Sequence, residues 1–192
     1  MNDKMTQPEA DSFIDEIAKN FTNVSNEYKT IKISIESSDW VSTITKLKDE
    51  HDLIFFSWLS AVDWTNEVVT GEPPKDEVEE CFEILCCLSD IEYGNLVIVS
   101  TKIDKKNPTI DSLVDVYVGA NWHERESYEM FGIIFEGHPD LKKLYLPDHF
   151  EGFPLLKSYE LLSRDVKPWP GEVDVEAMPD DESENKEQGK GD

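Results

Sequence analysis

Residues 121–131 read Asn-Trp-His-Glu-Arg-Glu-Ser-Tyr-Glu-Met-Phe and are followed by Gly132. No other segment restricts the fold as tightly. Asn121 is a good N-cap and Gly132 a good C-terminal stop, so the run reads as a helix. Wound at about 100° per residue with Trp122 set to zero, Met130 sits near 80°, Phe131 near 180° and Tyr128 near 240°. Glu124, Arg125, Glu126 and Glu129 fall between these apolar side chains. A surface helix normally has one apolar and one polar face. This one has no empty sector, so protein is expected all around it, with its charges paired internally. Arg125 and Glu129 are i,i+4 neighbours and the expected pair. A buried Arg–carboxylate network costs desolvation, so its use is specificity or register.

The next stretch departs from ordinary composition. Between Ile133 and Glu172 stand Pro139, Pro147, Pro154, Pro168 and Pro170, with Phe135, Tyr145, Phe150, Phe153, Tyr159 and Trp169. Disordered linkers are poor in aromatics. A compact domain rarely holds so long a stretch without regular structure. Two readings fit these residues, and the combination reads best as the first. One is an extended arm that lies on a partner and inserts aromatic anchors. The other is an irregular lobe folded onto the chain's own sheet.

Upstream, residues 8–21 predict a helix, with Pro8 in its first turn and Phe13, Ile14, Ile17 and Phe21 at helical spacing. Ile31, Ile33 and Ile35 alternate with Lys32, Ser34 and Glu36, as in a half-buried strand. Ser37 or Ser38 can cap a second helix striped by Trp40, Val41, Ile44 and Leu47. Leu53 to Trp64 is almost continuously apolar, which suits a central strand covered on both faces. Residues 70–79 read as a loop. Glu80–Leu88 and Leu96–Ile103 read as strands of a hairpin turning at 92–95, while periodicity does not decide residues 113–118.

This order implies an α+β, two-layer sandwich, with helices packed on one face of a mainly antiparallel mixed sheet. It divides the chain into a sheet domain over 1–120 and the helix with its C-terminal arm over 121–172. Residues 173–192 are expected to form a disordered acidic tail. The stretch from Gly171 on holds nine acids, two lysines and no aromatic, too little apolar surface to offset ordering entropy.

Forty-two acids against eighteen bases give the 192-residue chain a formal charge of −24. That argues against direct nucleic-acid binding, which needs a basic face, and against a polybasic membrane anchor. The longest apolar stretch, Leu53 to Val62, falls short of the about 20 residues a bilayer span requires. Met1 to Glu16 has no basic or apolar targeting region, so the protein is expected to stay in the compartment where it is made. Cys81, Cys86 and Cys87 lack the spacing of zinc or iron–sulfur ligands and read as small buried residues in reducing surroundings.

The constraining helix also carries a family resemblance. Glu124-Arg125-Glu126, then Glu129-Met130-Phe131-Gly132, then Gly137-His138-Pro139-Asp140-Leu141-Lys142-Lys143-Leu144 resembles the motif of the 30 kDa-type subunit of respiratory complex I (NADH-quinone oxidoreductase). The family extends to related archaeal and F420H2 dehydrogenase complexes. Lys143 stands where the family usually has Arg, which would weaken a bidentate contact. Gly152 to Tyr159 resembles a later family run, with Leu156 in place of a base and Ser158 in place of Asp. The resemblance covers roughly residues 121–160.

It implies a non-catalytic peripheral-arm component of a proton-translocating oxidoreductase, lying on the cytoplasmic face of the cell membrane and reaching the membrane only through the complex. Such a component holds no cofactor of its own. It packs on the hydrogenase-like large subunit, near the quinone site and the iron–sulfur subunit that carries the terminal cluster. Iron–sulfur clusters and quinone belong to those neighbours. The implied docking residues are Glu124, Arg125, Glu126, Glu129, Phe131, His138, Lys142, Lys143, Phe153 and Tyr159. Electrons would come from NADH or F420H2 and pass to quinone or methanophenazine.

A subunit of a related membrane-bound hydrogenase is the near alternative. A metal-dependent hydrolase built on His123, His138 and His149 with Glu124, Glu126 and Glu129 is the distant one. The spacing is wrong for H-x-x-x-H or H-E-x-x-H ligation, and no phosphate loop or G-x-S-x-G elbow is present. A free-standing acidic interaction module is the third possibility.

Overall fold

The computed structural model describes residues 7–27, 30–68 and 72–160. Helix α1 (Gln7–Asn20) leads into strands β1 (Val24–Glu27) and β2 (Thr30–Ile35), helix α2 (Trp40–Glu50) and strand β3 (Phe55–Asp63). Strands β4 (Phe82–Ser89) and β5 (Leu96–Ile103), the short β6 (Thr109–Asp111), helix α3 (Ala120–Phe131) and β7 (Ile134–Glu136) follow. Five strands form one sheet in the order β1-β2-β5-β4-β3; β2 and β5 run parallel and the other pairs antiparallel. β6 and β7 form a separate parallel pair. The α+β class expected from the sequence is what the chain adopts.

Alternation of side chains along the strands decides where the core lies. Ile31 and Ile33 of β2, Val97 and Val99 of β5, Ile84, Cys86 and Leu88 of β4, and Leu59 of β3 share one face. They join Ile17 of α1 and Trp40, Ile44 and Leu47 of α2 in one buried cluster. Cys86 and Cys87 point to opposite faces and all three cysteines are free and buried.

Several elements differ from expectation. β1 was not predicted; it is four residues long and carries no apolar alternation. Ser37 and Ser38 lie in a short 3-10 turn rather than capping α2, whose N-cap Asp39 makes no side-chain cap bond. β3 is an edge strand, not a central one, because the β3–β4–β5 meander walks back toward β2. The hairpin turn is tied by the Asp90 carboxylate, which accepts the N–H groups of Tyr93 (2.6 Å), Gly94 (2.8 Å) and Asn95 (3.0 Å), with Gly94 at φ +76°. Residues 113–118 are successive turns, and the Tyr117 hydroxyl donates to the Leu53 carbonyl.

Beyond β7 the chain stays irregular, and through Glu160 it folds back on the sheet domain. Leu141, Leu146 and Leu156 pack against the core cluster. The Leu155 N–H bonds to the Met130 carbonyl (3.1 Å), and the Lys157 N–H to the Asp63 carboxylate (3.0 Å). Residues 133–160 thus follow the lobe reading rather than the arm reading. The remainder of the expected arm, 161–172, and the expected acidic tail at 173–192 lie outside the described residues.

Leu47 is fully buried under the sheet. Leu47→Ala is expected to lower unfolding free energy by about 2–5 kcal/mol, the range for emptying such a site. Urea denaturation followed by tryptophan fluorescence checks it, with a loss below about 1 kcal/mol marking a wrong core.

Candidate functional site: a charged helix that grips an irregular lobe

α3 begins at Ala120, one residue before the predicted cap; Gly119 takes the N-cap position without a side-chain bond. It ends as expected at Gly132, which sits in the left-handed region at φ +79° with its N–H on the Tyr128 carbonyl. A Cβ at Gly132 would stand 2.8 Å from the Phe153 ring. Glycine therefore serves both as the helix stop and as the floor under that aromatic.

The charged residues do not pair with one another as the i,i+4 spacing suggested. Each takes backbone or hydroxyl groups from the surrounding chain. Glu129 is 2% exposed and its carboxylate accepts three successive N–H groups: Leu144 (3.1 Å), Tyr145 (3.2 Å) and Leu146 (2.6 Å). Arg125 donates from Nε to the Lys142 carbonyl (3.1 Å) and from Nη2 to the Lys143 carbonyl (3.0 Å), with its guanidinium 5.5 Å from the Trp122 ring. One side chain satisfies the donors of the lobe and the other its acceptors. Glu126 accepts the Tyr145 hydroxyl at 2.6 Å.

Glu124 points the other way, into the domain. It is fully buried, accepting the Ser112 hydroxyl and the Leu113 N–H, each at 2.6 Å. Burial pushes its carboxyl up to about 7, against the lowering effect of those two hydrogen bonds. Phe131 packs edge-on against Phe82, their centroids 6.3 Å apart.

The remaining predicted positions organise the lobe itself. His138 donates from Nε2 to the Asn121 carbonyl (3.2 Å) and accepts the Asp140 N–H at Nδ1 (3.1 Å). Lys142 is exposed and pairs with Asp140 at 2.6 Å, which holds that carboxyl below its ordinary range. Lys143 makes no bidentate contact; its ammonium donates to the carbonyls of Phe150 (2.8 Å), Asp148 (3.2 Å) and Pro147 (3.4 Å). Tyr159 stacks on Phe150 at 6.1 Å and lies over Gly152. His123 rests against Phe56, His149 is exposed, and no three His, Cys, Asp or Glu side chains converge as a metal-binding group among the described residues.

The sequence reading missed the second clasp. Asp63, at the end of β3, accepts Lys105 Nζ (2.6 Å), the Thr65 hydroxyl (2.6 Å) and the Lys157 N–H, and Lys105 also meets Thr65. Burial raises the Asp63 carboxyl, but these hydrogen bonds outweigh it and leave it below the ordinary carboxylate range. No local signal marks an Asp that ends an apolar run as the anchor of a loop 94 residues away.

Fold and site together define a class: an α+β domain whose charged helix clamps an irregular lobe against its own sheet. Residues 33–165 match the family described as the respiratory-chain NADH dehydrogenase 30 Kd subunit, and the chain belongs to that family. It is 34% identical to the corresponding NADH-quinone oxidoreductase subunit of Chlorobium phaeobacteroides over 140 residues, covering 71% of this chain and 77% of the relative. It is 40% identical to the corresponding F(420)H(2) dehydrogenase subunit of Methanosarcina mazei over 89 residues, covering 46% of this chain and 54% of that one. Several of the curated relatives are matched over only about half their length. A chain of the membrane-bound sulfane sulfur reductase, an archaeal respiratory membrane complex, shares the fold at TM-score 0.65 and 19% identity, over 80% of this chain and 87% of that one. No helix among the described residues is long and apolar enough to cross a membrane.

Two glutamate-to-glutamine changes should separate the roles of Glu124 and Glu129. Glu124 keeps its proton in the folded state up to about pH 7, while an unfolded Glu ionises near 4.5. The folded protein therefore loses stability as pH rises from about 4.5 to about 7, on the order of 3 kcal/mol. Glu124→Gln can keep both hydrogen bonds and should flatten that slope in denaturation curves; an unchanged slope would refute the assignment. Glu129→Gln places an NH2 group against N–H donors and should cost about 1–3 kcal/mol. Hydrogen exchange at the Leu144–Leu146 amides is expected to accelerate in this variant alone.

Proposed function

We propose that the chain is a non-catalytic peripheral subunit of a complex I-like, proton-translocating oxidoreductase. It docks on the hydrogenase-like large subunit, next to the iron–sulfur subunit, at the cytoplasmic face of the membrane. It supports electron transfer from NADH or F420H2 to quinone or methanophenazine without holding the iron–sulfur clusters or quinone itself. Family membership supports the assembly, and the names of the relatives support both kinds of electron donor. The observation that carries the non-catalytic reading is the engagement of the motif carboxylates. Glu124, Glu126 and Glu129 each accept hydrogen bonds from the chain's own groups, and Glu124 and Glu129 are buried.

In this reading the docking residues divide by role. Arg125, Glu129 and Lys143 set the register of the lobe from within, while Glu124 fixes α3 to residues 112–113 of the sheet domain. The lobe and α3 then present Trp122 (63% exposed), Tyr145 (57%), Leu155 (52%) and Phe153 (39%) outward. Large exposed aromatics held on rigid backbone make good interface anchors. Phe153 and Tyr145 join the contact with the partner, while Phe131, His138, Lys142 and Tyr159 hold the surface that carries them.

Trp122→Ala should weaken docking by about 2 kcal/mol, roughly 30-fold in affinity, with the fold intact. Arg125→Ala should impair assembly by releasing the lobe. Native electrophoresis of the membrane complex from cells carrying each tagged variant measures the assembled fraction. Full assembly of Arg125→Ala with loss of turnover would show that the motif serves chemistry, and would overturn this reading.

A further inference from the structure

Among the described residues, the sheet has a second apolar face that the helices do not use. Cross-strand register places Trp58 of β3, Cys87 of β4 and Ile98 of β5 in one row, with Leu85 in the next row and Val62 beyond it. None of these five belongs to the core cluster or packs against it, although Cys87 is 1% exposed and the others are half-buried. An antiparallel sheet with one wet face alternates apolar and polar side chains. β4 does not: Phe82, Ile84, Cys86 and Leu88 face the helices, and Leu85 and Cys87 face away. The apolar run in β3 has the same cause. It fits a strand covered on both faces, yet among the described side chains α1, α2 and α3 direct their buried apolar residues to the first face only.

The charges on this face are arranged for cover. Its buried carboxylate, Glu83, is matched by Lys32 Nζ (2.7 Å), the Ser100 hydroxyl (2.5 Å) and Trp64 Nε1 (2.8 Å). Lys102, opposite Glu83 on the same face, lies 3.9 Å from Glu79 at the margin, so a body laid over the sheet would meet charges that already have partners. At the margin, Trp64, Val78 and Glu79 border an open cleft with Lys32 and Glu83. They belong to residues 64–80, which carry Glu67, Glu72, Asp76, Glu77, Glu79 and Glu80 against Lys75 alone.

We propose that this second sheet face is a protein-docking surface, separate from α3 and its lobe, and that its occupant is a different polypeptide presenting apolar side chains framed by Lys and Arg. Charge complementarity selects that occupant. A second copy would bring another −24 against the same rim, and the chain's own residues 171–192, at nine acids to two lysines, carry the wrong sign. The inference requires only that the chain works inside an assembly, and goes beyond the contact proposed above.

The test replaces Leu85, and in a second strain Ile98, with the photo-crosslinker p-benzoylphenylalanine in the full-length tagged chain made in its own host. After irradiation, the linked peptide is identified by mass spectrometry. The expected result is a link from either position to a different polypeptide, at an apolar segment flanked by Lys or Arg. Asp76→Lys combined with Glu77→Lys, which leaves the sheet untouched, should lower the yield several-fold, as should raised salt. A link to a second copy, to the chain itself or to a segment without basic residues overturns the proposal, as does no link from a chain still held in its complex. Co-purification of the hydrogenase-like large subunit is scored separately: present without a link, this inference falls and the docking reading stands; absent with a link, the reverse.

Discussion

A carboxylate has lone pairs enough to accept several N–H groups at once, and a peptide segment without helix or strand has N–H groups that need acceptors. Glu129 meets that need for Leu144, Tyr145 and Leu146 together. Arg125, one turn earlier on α3, takes the carbonyls that precede them. The pair substitutes for a strand partner, and much of the rest depends on it. Without it Tyr145 would not reach Glu126, and residues 147–156 would lose one end of their tether. Phe153 could then leave its seat over Gly132. The Asp63–Lys157 clasp holds the other end.

Much of the first half was legible because it obeys local rules. Ile31, Ile33 and Ile35 alternate and lie in a strand; Trp40, Ile44 and Leu47 recur at helical spacing and are buried on one side of α2. Gly132 stops α3 where only a left-handed residue fits. What escaped was decided at a distance. β1 has no pattern of its own and exists by pairing with β2. The edge position of β3 follows from where the later meander lies. The charged positions on α3 were found correctly as an unusual set, but sequence spacing could name only their neighbours along the helix. The true partners of Arg125 and Glu129 are backbone groups 15 to 18 residues away, which carry no side-chain identity to read.

The protein thus spends its most distinctive residues on holding itself in shape. Its buried carboxylates are met by its own lysines, hydroxyls and backbone amides, and its apolar surplus is displayed on α3, on the lobe and on the far side of the sheet. A domain so built makes rigid surfaces for neighbours. That suits a chain whose relatives are named as subunits.

The single parallel contact in the main sheet has a consequence for biosynthesis. β2 is translated early, but the strand beside it in the finished sheet, beginning near Leu96, appears only after α2, β3 and β4 have emerged. Until then the bonding edge of β2 that Ile31 to Ile35 later share with β5 has no native mate, and β3 and β4 can zip together without it. The nascent chain therefore carries an open strand through roughly a third of its translation, a window in which a ribosome-bound holdase or early capture by other chains would shield it.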